Sequence, residues 1–458
     1  MRGPRLPVLR SMTLTVTERC NLRCAYCYVP VARGRTMSEG VADAAVELLA
    51  RHAAPEGTVT LSFFGGEPFL ATTLLRRAAE RARSVARDGR RLRLTTTTNG
   101  LLLDDGALDF CHESGMELAV SVDGDASSTD RPYANGRGST SDVLANLPAI
   151  LSLEPGAKLI ARMTVTPDNV GELARRVQAL ARLGFRRIFF LPAYEMDWTD
   201  DAVRAFGREH RRIGAWIAAA KRSGAFVPEL PTWRGIEARL ARGRAKGACG
   251  AGVSQVAVAT DGRLLACYRL LSEPDADRHV LGDVVNGFTN DEALRHFASL
   301  DPADVQPEDG DCASCSARDG CTHSCPALGI AMRGDARAVP RSVCELTRAA
   351  VEAVRESMRG SRCRSGARTA WTFAAVAAVS GAALACGGSV DGGGGLCPAL
   401  TDAGADARDA ATDAEDAPSF AYDSGGGLCP VQVDAQVDAG DAGGGGGGIC
   451  LPPPGVCN

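Results

Sequence analysis

Three cysteines near the start of the chain, Cys20, Cys24 and Cys27, follow the spacing C-x3-C-x2-C, with no fourth cysteine nearby. Closely spaced thiolates hold iron–sulfur clusters, and ferredoxin-type electron carriers normally bind all four irons through cysteine. A structural zinc site would also use four protein ligands. Three ligands therefore predict a [4Fe-4S] cluster with one open iron, which indicates a catalyst that binds a further molecule there.

Three glycine-containing motifs follow these cysteines and could surround such a cluster. Gly65-Gly66-Glu67-Pro68 would let the backbone approach a ligand closely, because glycine has no Cβ atom. Thr98-Asn99-Gly100 and Ser121-Val122-Asp123-Gly124 come next, and Arg162 supplies a guanidinium of the kind that pairs well with a carboxylate. Each motif taken alone is also an ordinary tight turn.

Together and in this order, the motifs resemble those of the radical S-adenosylmethionine (SAM) superfamily. In that family SAM chelates the open iron, and its reductive cleavage yields a 5′-deoxyadenosyl radical that abstracts hydrogen from the substrate. The resemblance implies that Cys20, Cys24 and Cys27 are catalytic residues and cluster ligands. It also implies a SAM pocket formed by Tyr26, Gly65, Gly66, Glu67, Asn99, Ser121, Asp123 and Arg162. For Tyr26 the alternative is an ordinary core aromatic.

The residues around these motifs alternate between β-rich and amphipathic helical runs, which predicts an α/β fold with a parallel sheet of βα units. We expect strands over Met12–Thr17, Thr58–Phe64, Leu92–Thr97, Met116–Val122, Lys158–Thr166 and Arg187–Pro192, and helices that include Met37–His52, Thr72–Arg87 and Val170–Leu183. Six units match the family's partial (β/α)6 TIM-like barrel, with the motifs at the carboxyl ends of strands. Cys111 falls in a helical run and is expected to be a buried apolar residue.

A second group of cysteines lies between residues 247 and 358. It comprises Cys249, Cys267, Cys312, Cys315, Cys321, Cys325 and Cys344. The spacing resembles that of the SPASM domain, which follows the radical SAM barrel in many peptide and protein maturases; a pair of zinc sites is the alternative. The resemblance implies two auxiliary [4Fe-4S] clusters. Cys312, Cys315, Cys321 and Cys344 would hold the outer one, and Cys249, Cys267 and Cys325 would hold the inner one, with an open iron or a non-cysteine ligand.

Tyr268 marks a departure from one branch of that family. In anaerobic sulfatase maturases an Asp directly follows the cysteine that corresponds to Cys267, and this Asp serves as a base. This chain has Tyr268 at that position, so sulfatase maturation is not expected here. No residue stands out as a general base, and Tyr268 and Asp123 are the candidates. The pattern is closer to maturases of small ribosomal peptides. Because eleven residues precede the first predicted strand, we expect peptide recognition to come from a separate protein or from the substrate itself.

The charge of the chain is distributed unevenly. Residues 391–458 contain eleven acidic residues and one basic residue, so they have a net charge of −10, and the residues before them have +6. That small positive excess is spread out and does not predict nucleic-acid binding. The 17 cysteines cluster at metal-ligand spacings and no N-terminal signal peptide is visible, so we expect the enzyme part to be cytoplasmic.

The carboxyl-terminal hundred residues differ from the rest in composition. Basic residues from Arg359 to Arg368 precede an apolar run over Thr369–Val390, which contains the lipobox-like Ala383-Leu384-Ala385-Cys386-Gly387. This run predicts a signal or membrane-associated segment, or else an alanine-rich helix. The tail beyond it is rich in Gly, Asp and Ala and is expected to be disordered, because it has too few apolar residues to form a core. Within it, a Gly-Leu/Ile-Cys unit recurs around Cys397, Cys429 and Cys450.

The sequence thus predicts a radical SAM core over residues 1–246, a SPASM domain over 247–358, a basic and apolar segment over 359–390 and a tail over 391–458. We expect an oxidoreductase that modifies a peptide or protein, its own tail included, with a reductant such as ferredoxin or flavodoxin. The alternatives are a SPASM-type dehydrogenase of a small molecule and a membrane-anchored iron–sulfur electron-transfer protein. The tail has two further alternatives, a lipoprotein stalk and a joined neighbouring reading frame.

Overall fold

A computed structural model describes residues 6–359, apart from residues 88, 126–127, 154–157, 243–248, 274–275, 302–303 and 323–324. The apolar run over Thr369–Val390 and the tail over 391–458 lie outside the described residues. The described residues up to Ser357 belong to one compact unit.

Six parallel strands form the first part of this unit. They are β1 Ser11–Thr17, β2 Gly57–Gly65, β3 Arg90–Thr98, β4 Glu117–Ser121, β5 Leu159–Val165 and β6 Ile188–Pro192. Each strand pairs in parallel with the next along the chain. The six predicted strands are confirmed, with ends within two residues of those expected. The strands thus form the α/β, TIM-like partial barrel that the sequence predicts.

Helices connect consecutive strands and cover the outside of the sheet. They are α1 Glu39–His52, α2 Thr72–Ala82, α3 Asp105–Ser114, α4 Thr140–Leu151 and α5 Leu173–Arg182, followed after β6 by α6 Asp200–Ser223 and α7 Pro231–Arg242. Helix α1 begins where the Ser38 hydroxyl accepts a 3.3 Å hydrogen bond from Val41 N, as at a typical N-cap. It buries one apolar face that includes Val46 and Leu49. Cys111 of α3 is fully buried, as expected.

The sheet continues beyond the barrel on the free side of β1. Four further strands are β7 Gln255–Val258, β8 Arg263–Leu265, β9 Val280–Asp283 and β10 Gly287–Phe288. Strand β7 pairs in parallel with β1, and β8, β9 and β10 follow in antiparallel order, giving the sheet order β10-β9-β8-β7-β1-β2-β3-β4-β5-β6. Because β7 pairs with the outer edge of β1, backbone groups there are bonded within the sheet. The sheet therefore crosses the domain boundary predicted at residues 246 and 247.

The remaining elements pack around the second group of cysteines. They are α8 Asp291–Ala298, the paired short strands β11 Gln306–Pro307 and β12 Ala338–Val339, α9 Pro326–Arg333, and α10 over residues 341–359. Across the described part of the chain, the helices all fall short of the combination of length and apolar character needed to cross a membrane.

Candidate active site

A cavity of about 130 Å³ opens at the carboxyl ends of the parallel strands, the end at which barrel enzymes place their chemistry. Nine of the predicted site residues line it together: Cys20, Cys24, Cys27, Tyr26, Gly65, Gly66, Asn99, Ser121 and Arg162. Glu67 and Asp123 do not line the cavity, and Tyr268 lines a smaller one beside it. The structure thus gathers residues from positions 20 to 162 around one space.

The loop that contains the three cysteines is held by neighbouring loops at the residues between the first two cysteines. Arg23 N donates a 2.8 Å hydrogen bond to Pro132 O, and Leu22 forms an isolated antiparallel bridge with Tyr133. The Asn99 side-chain amide donates a 2.7 Å bond to Asn21 Oδ1, which ties the loop to the turn after β3. Cys20 and Cys24 are half-buried and Cys27 is exposed. The loop is therefore fixed while its thiols remain accessible from the cavity.

Burial governs the acidity of these thiols. It raises the pKa of Cys20 to about 11, although Leu22 N donates a hydrogen bond to Cys20 Sγ at 3.3 Å. Partial removal from bulk water by the surrounding protein also raises the pKa of Cys24 and of the more exposed Cys27, and the Arg131 guanidinium opposes the rise in both. Thiols of this kind stay protonated at neutral pH unless a metal ion displaces the proton.

The three cysteines are arranged in a way that suits a cluster and not a single metal ion. Among the residues that the structure describes, no group of three or more His, Cys, Asp or Glu side chains is arranged to hold one metal ion. A four-iron cluster binds each thiolate at a different iron, so its cysteines surround a volume and do not converge on a point. Three cysteines lining one cavity fit that requirement.

Gly65 and Gly66 form the turn that brings the end of β2 against the cysteine loop. Gly65 has φ +145°, and a Cβ atom there would lie 2.0 Å from Thr17 O. A Cβ atom on Gly66 would lie 2.2 Å from Arg19 O, one residue before Cys20. Gly66 N and Glu67 N donate 2.8 Å hydrogen bonds to Thr17 O and Arg19 O. Only residues without a Cβ atom fit this approach.

Glu67 supports the turn from inside the protein. Its carboxylate accepts hydrogen bonds from Phe69 N at 3.1 Å, from the Thr98 hydroxyl at 2.8 Å and from Asn99 N at 2.7 Å. The side chain is fully buried, and burial raises the pKa of Glu67 to about 7 against the effect of these three donors. Glu67 therefore positions Asn99, which does line the cavity.

Asp123 is the centre of a second buried network. Its Oδ2 accepts a 2.6 Å hydrogen bond from the Tyr26 hydroxyl, and its Oδ1 accepts one of 2.8 Å from Thr164 N. Arg131 forms a salt bridge with the same carboxylate, with Nε 2.8 Å from Oδ2. The guanidinium also lies over the Tyr26 ring, 5.4 Å from its centroid. Asp123 thus fixes the tyrosine that lies between Cys24 and Cys27.

Arg162 has a different environment from Arg131. It lines both the main cavity and the smaller neighbouring cavity. Its guanidinium forms no hydrogen bond or ion pair with any of the described side chains or backbone groups. A cation in this position remains available to an anionic ligand.

Tyr268 lies behind the wall of the main cavity. Its ring centroid is 4.7 Å from that of Phe64 and 6.2 Å from that of Tyr28, and both of those residues line the main cavity. The smaller cavity, which Tyr268 lines with Arg162 and Thr97, is inside the barrel. Tyr268 therefore contacts the site through aromatic neighbours.

The cysteines of the predicted outer auxiliary site lie together. Cys312, Cys315, Cys321 and Cys344 all line one cavity of about 40 Å³. Burial, followed by the effect of Cys321 and Cys312, raises the pKa of Cys344 to about 12. Of the predicted inner set, Cys267 and Cys325 are buried and Cys249 is half-buried. Cys325 immediately precedes α9, which packs against the 3₁₀ turn Tyr268–Ser272 that follows Cys267.

The cavity residues without a role predicted from the sequence include Tyr28, Arg131, Glu195 and Arg269. The sequence position of each contains a usable signal. Tyr28 and Arg269 come one and two residues after predicted cluster ligands, and Glu195 follows the carboxyl end of β6. Arg131 belongs to the segment that continues the Ser121-Val122-Asp123-Gly124 motif.

Comparison with known proteins agrees with this geometry. Residues 14–177 match the family model of the radical SAM superfamily. The uncharacterised protein MJ0907 of Methanocaldococcus jannaschii is 26% identical over 183 residues, which are 40% of this chain and 62% of MJ0907. The serine-type anaerobic sulfatase-maturating enzyme of Klebsiella aerogenes is 26% identical over 361 residues, which span 71% of this chain and 81% of that enzyme.

A solved structure extends the likeness of fold to the second group of cysteines. The structure of native anSMEcpe with bound AdoMet and the Kp18Cys peptide superposes with a TM-score of 0.62 at 18% sequence identity. The superposition covers 77% of this chain and 99% of that one. The barrel and the cysteine-rich region that follows it therefore have, taken together, the fold of that solved structure.

Proposed function

We propose that this chain, a radical SAM protein with the superfamily domain over residues 14–177, reductively cleaves SAM and abstracts hydrogen from a peptide or protein substrate. A [4Fe-4S] cluster with SAM bound supplies a strongly oxidising carbon radical when it receives one electron. The observation that supports the proposal is the single cavity shared by three accessible cysteines, a glycine turn and a guanidinium without an ion-pair partner among the described residues.

The residues around the cavity suit this role in different ways. Cys20, Cys24 and Cys27 would be the cluster ligands. Gly65 and Gly66 line the cavity and hold the end of β2 against the cysteine loop. Asn99 and Ser121 offer hydrogen-bonding groups, and Arg162 offers a guanidinium to a carboxylate.

Two buried networks would keep this surface in place. Glu67 fixes the turn that contains Asn99, and Asp123 fixes Tyr26 and Arg131. Both would act as positioning residues, because neither lines the cavity. Tyr268 lines the adjoining cavity, where it remains a candidate base.

The class of substrate is proposed from the relatives. The Klebsiella relative is named as a sulfatase-maturating enzyme, and anSMEcpe has been solved with a bound peptide. The resemblance drawn from the sequence implies an aspartate at the position of Tyr268 in anaerobic sulfatase maturases, so we propose a peptide substrate other than a sulfatase. The cysteines of the second group would hold auxiliary clusters, with the outer four around one cavity.

The first test is SAM cleavage by the full-length chain. Protein reconstituted anaerobically with iron and sulfide is reduced with dithionite, given SAM, and assayed for 5′-deoxyadenosine by mass spectrometry. Cys24→Ala should abolish the nucleoside, whereas the matched control Cys111→Ala, at a buried cysteine of α3, should retain it. Absence of the nucleoside with clusters loaded would refute SAM cleavage and favour an electron-transfer protein.

The second test asks which substrate is modified. The same reaction is analysed for mass changes around Cys397, Cys429 and Cys450 of the tail. Losses in units of two hydrogens there would establish self-modification. If the nucleoside forms but the tail is unchanged, the substrate is a separate peptide or a small molecule. Turnover of an alcohol by the same protein would favour the dehydrogenase alternative.

A further inference from the structure

Arg269 is a buried cation beside the main cavity, in the 3₁₀ turn Tyr268–Ser272. Its side chain is 7% exposed. The guanidinium lies 4.5 Å from the centroid of the Tyr28 ring, and Nη1 pairs with Glu195 Oε1. Both the ring and the carboxylate line the same cavity.

This guanidinium lies between the predicted SAM site and the predicted inner auxiliary site. Tyr28 directly follows Cys27, and Arg269 is two residues after Cys267. The turn that contains Arg269 packs against α9, which begins immediately after Cys325. Cys325 is also within electrostatic range of the guanidinium. One side chain is therefore close to cysteines from both halves of the molecule.

Arg269 and Glu195 form an ion pair whose two members differ in exposure. An arginine side chain is not deprotonated in proteins, so the buried guanidinium is cationic. Glu195 is 34% exposed, so water screens the carboxylate more than it screens the guanidinium. The cation is therefore the more buried member of the pair.

We propose that Arg269 acts electrostatically on the inner auxiliary site. Its cation stabilises added negative charge at the cluster that Cys267 and Cys325 would help to hold. This inference rests on the proposed function. A fixed cation close to a cluster favours the state with one more electron, which raises the reduction potential. Glu195 opposes this effect, so loss of its charge should increase it.

The test is an anaerobic redox titration of the reconstituted full-length chain, with dithionite as reductant and electron paramagnetic resonance as readout. Cys20, Cys24 and Cys27 are replaced by Ala to remove the SAM-site cluster. The outer cluster is identified as the signal lost in Cys315→Ala, and it serves as an internal reference. Into this background we introduce Arg269→Met, Arg269→Lys and Glu195→Gln separately.

We expect Arg269→Met to lower the inner potential, Glu195→Gln to raise it and Arg269→Lys to stay near the parent, with the outer potential unchanged throughout. Shifts of the same sign in Arg269→Met and Glu195→Gln, equal shifts at both clusters, or no shift would overturn the inference. Failure of an inner cluster to load in the parent would overturn it too. SAM cleavage by the unmodified chain is measured in parallel, so failure of the proposed function is recognised separately.

Discussion

The Tyr26 hydroxyl donates a 2.6 Å hydrogen bond to Asp123 Oδ2, across 97 residues of sequence. This contact joins the loop of the predicted SAM-cluster cysteines to the end of β4. Arg131 completes the network by pairing with Asp123 while lying over the Tyr26 ring. The position of the cysteine loop therefore depends on a buried carboxylate that does not itself line the cavity.

Asp123→Asn should destabilise the fold strongly. The side chains of Asp123 and Arg131 are 0% and 11% exposed, and removing one charge of a buried pair typically costs about 3–5 kcal/mol. Tyr26→Phe removes a single hydrogen bond to a charged group and should cost less, about 1.5–3 kcal/mol. Urea unfolding of the full-length chain measures both.

The matched control is Asp142→Asn, at the exposed pair between Arg137 and Asp142. It should change the unfolding midpoint little, because water screens such pairs. Equal effects of Asp123→Asn and Asp142→Asn would contradict the structural role of Asp123.

Gly66→Ala should reduce both stability and iron content. The new Cβ atom would meet Arg19 O at 2.2 Å, and overpacking of this kind costs about 1–3 kcal/mol. Because Arg19 precedes Cys20, relief of the clash would displace the first cysteine. Iron per chain after reconstitution and the midpoint of thermal unfolding report the two effects.

Gly40→Ala is the control of opposite sign. Gly40 is in the first turn of α1 with no heavy atom within 4 Å of the added Cβ, so alanine should be neutral or stabilise by up to about 1 kcal/mol. A Gly66→Ala protein with the same iron content and midpoint as Gly40→Ala would show that the close approach is unnecessary.

The sequence was sufficient to predict the barrel strands and that the motif residues would lie together at the carboxyl ends of those strands. Runs of β-branched and apolar residues ended at Gly65, Asn99 and Ser121, and parallel strands place their carboxyl ends at one edge. The cysteine spacing at residues 20–27 predicted which kind of ligand would line the site, but it contained no information on the shape of the cavity.

Other features depend on contacts between distant residues and leave no local pattern. The pairing of β7 with β1 joins residues 244 positions apart, and the Glu195–Arg269 pair joins residues 74 positions apart. Glu67 belongs to a motif next to the cavity, but the turn directs its carboxylate to three donors inside the protein. A motif therefore identified the neighbourhood of a residue without identifying its contacts.

Arg162→Met should weaken SAM binding. Its guanidinium lines the cavity without a hydrogen bond or ion pair to the described residues, and a charged hydrogen bond to a ligand is worth about 1.5–3 kcal/mol, or roughly a 10- to 150-fold change in Kd. Equilibrium dialysis of labelled SAM against the reconstituted protein measures the change. Arg186→Met, at an exposed arginine, should bind SAM as the parent does; a normal Kd in Arg162→Met would remove this residue from the SAM pocket.

His210 should make the stability of the fold depend on pH. The side chain of this α6 residue is buried beside Phe206 and Trp233, Nδ1 is 2.9 Å from Phe206 O, and Nε2 has no hydrogen-bond partner within the described part of the chain. A second cavity, separate from the main cavity, is lined by both His210 and Arg239. Burial lowers the pKa of His210 from 6.5 to about 4. The folded state therefore binds fewer protons than the unfolded state between these values.

The stabilisation from neutral His210 should be fully present above pH 6.5 and be lost as the pH falls towards 4, a change of about 3 kcal/mol. His210→Phe keeps a planar ring without a titratable group. As the pH falls from 6.5 to 4, the unfolding free energy of the parent should therefore decrease relative to that of the variant. Unfolding midpoints measured at half-unit pH steps provide the test, with His112→Gln at an exposed position as control. A parent–variant difference that stays constant from pH 7 to pH 4 would show that His210 does not resist protonation in the folded state.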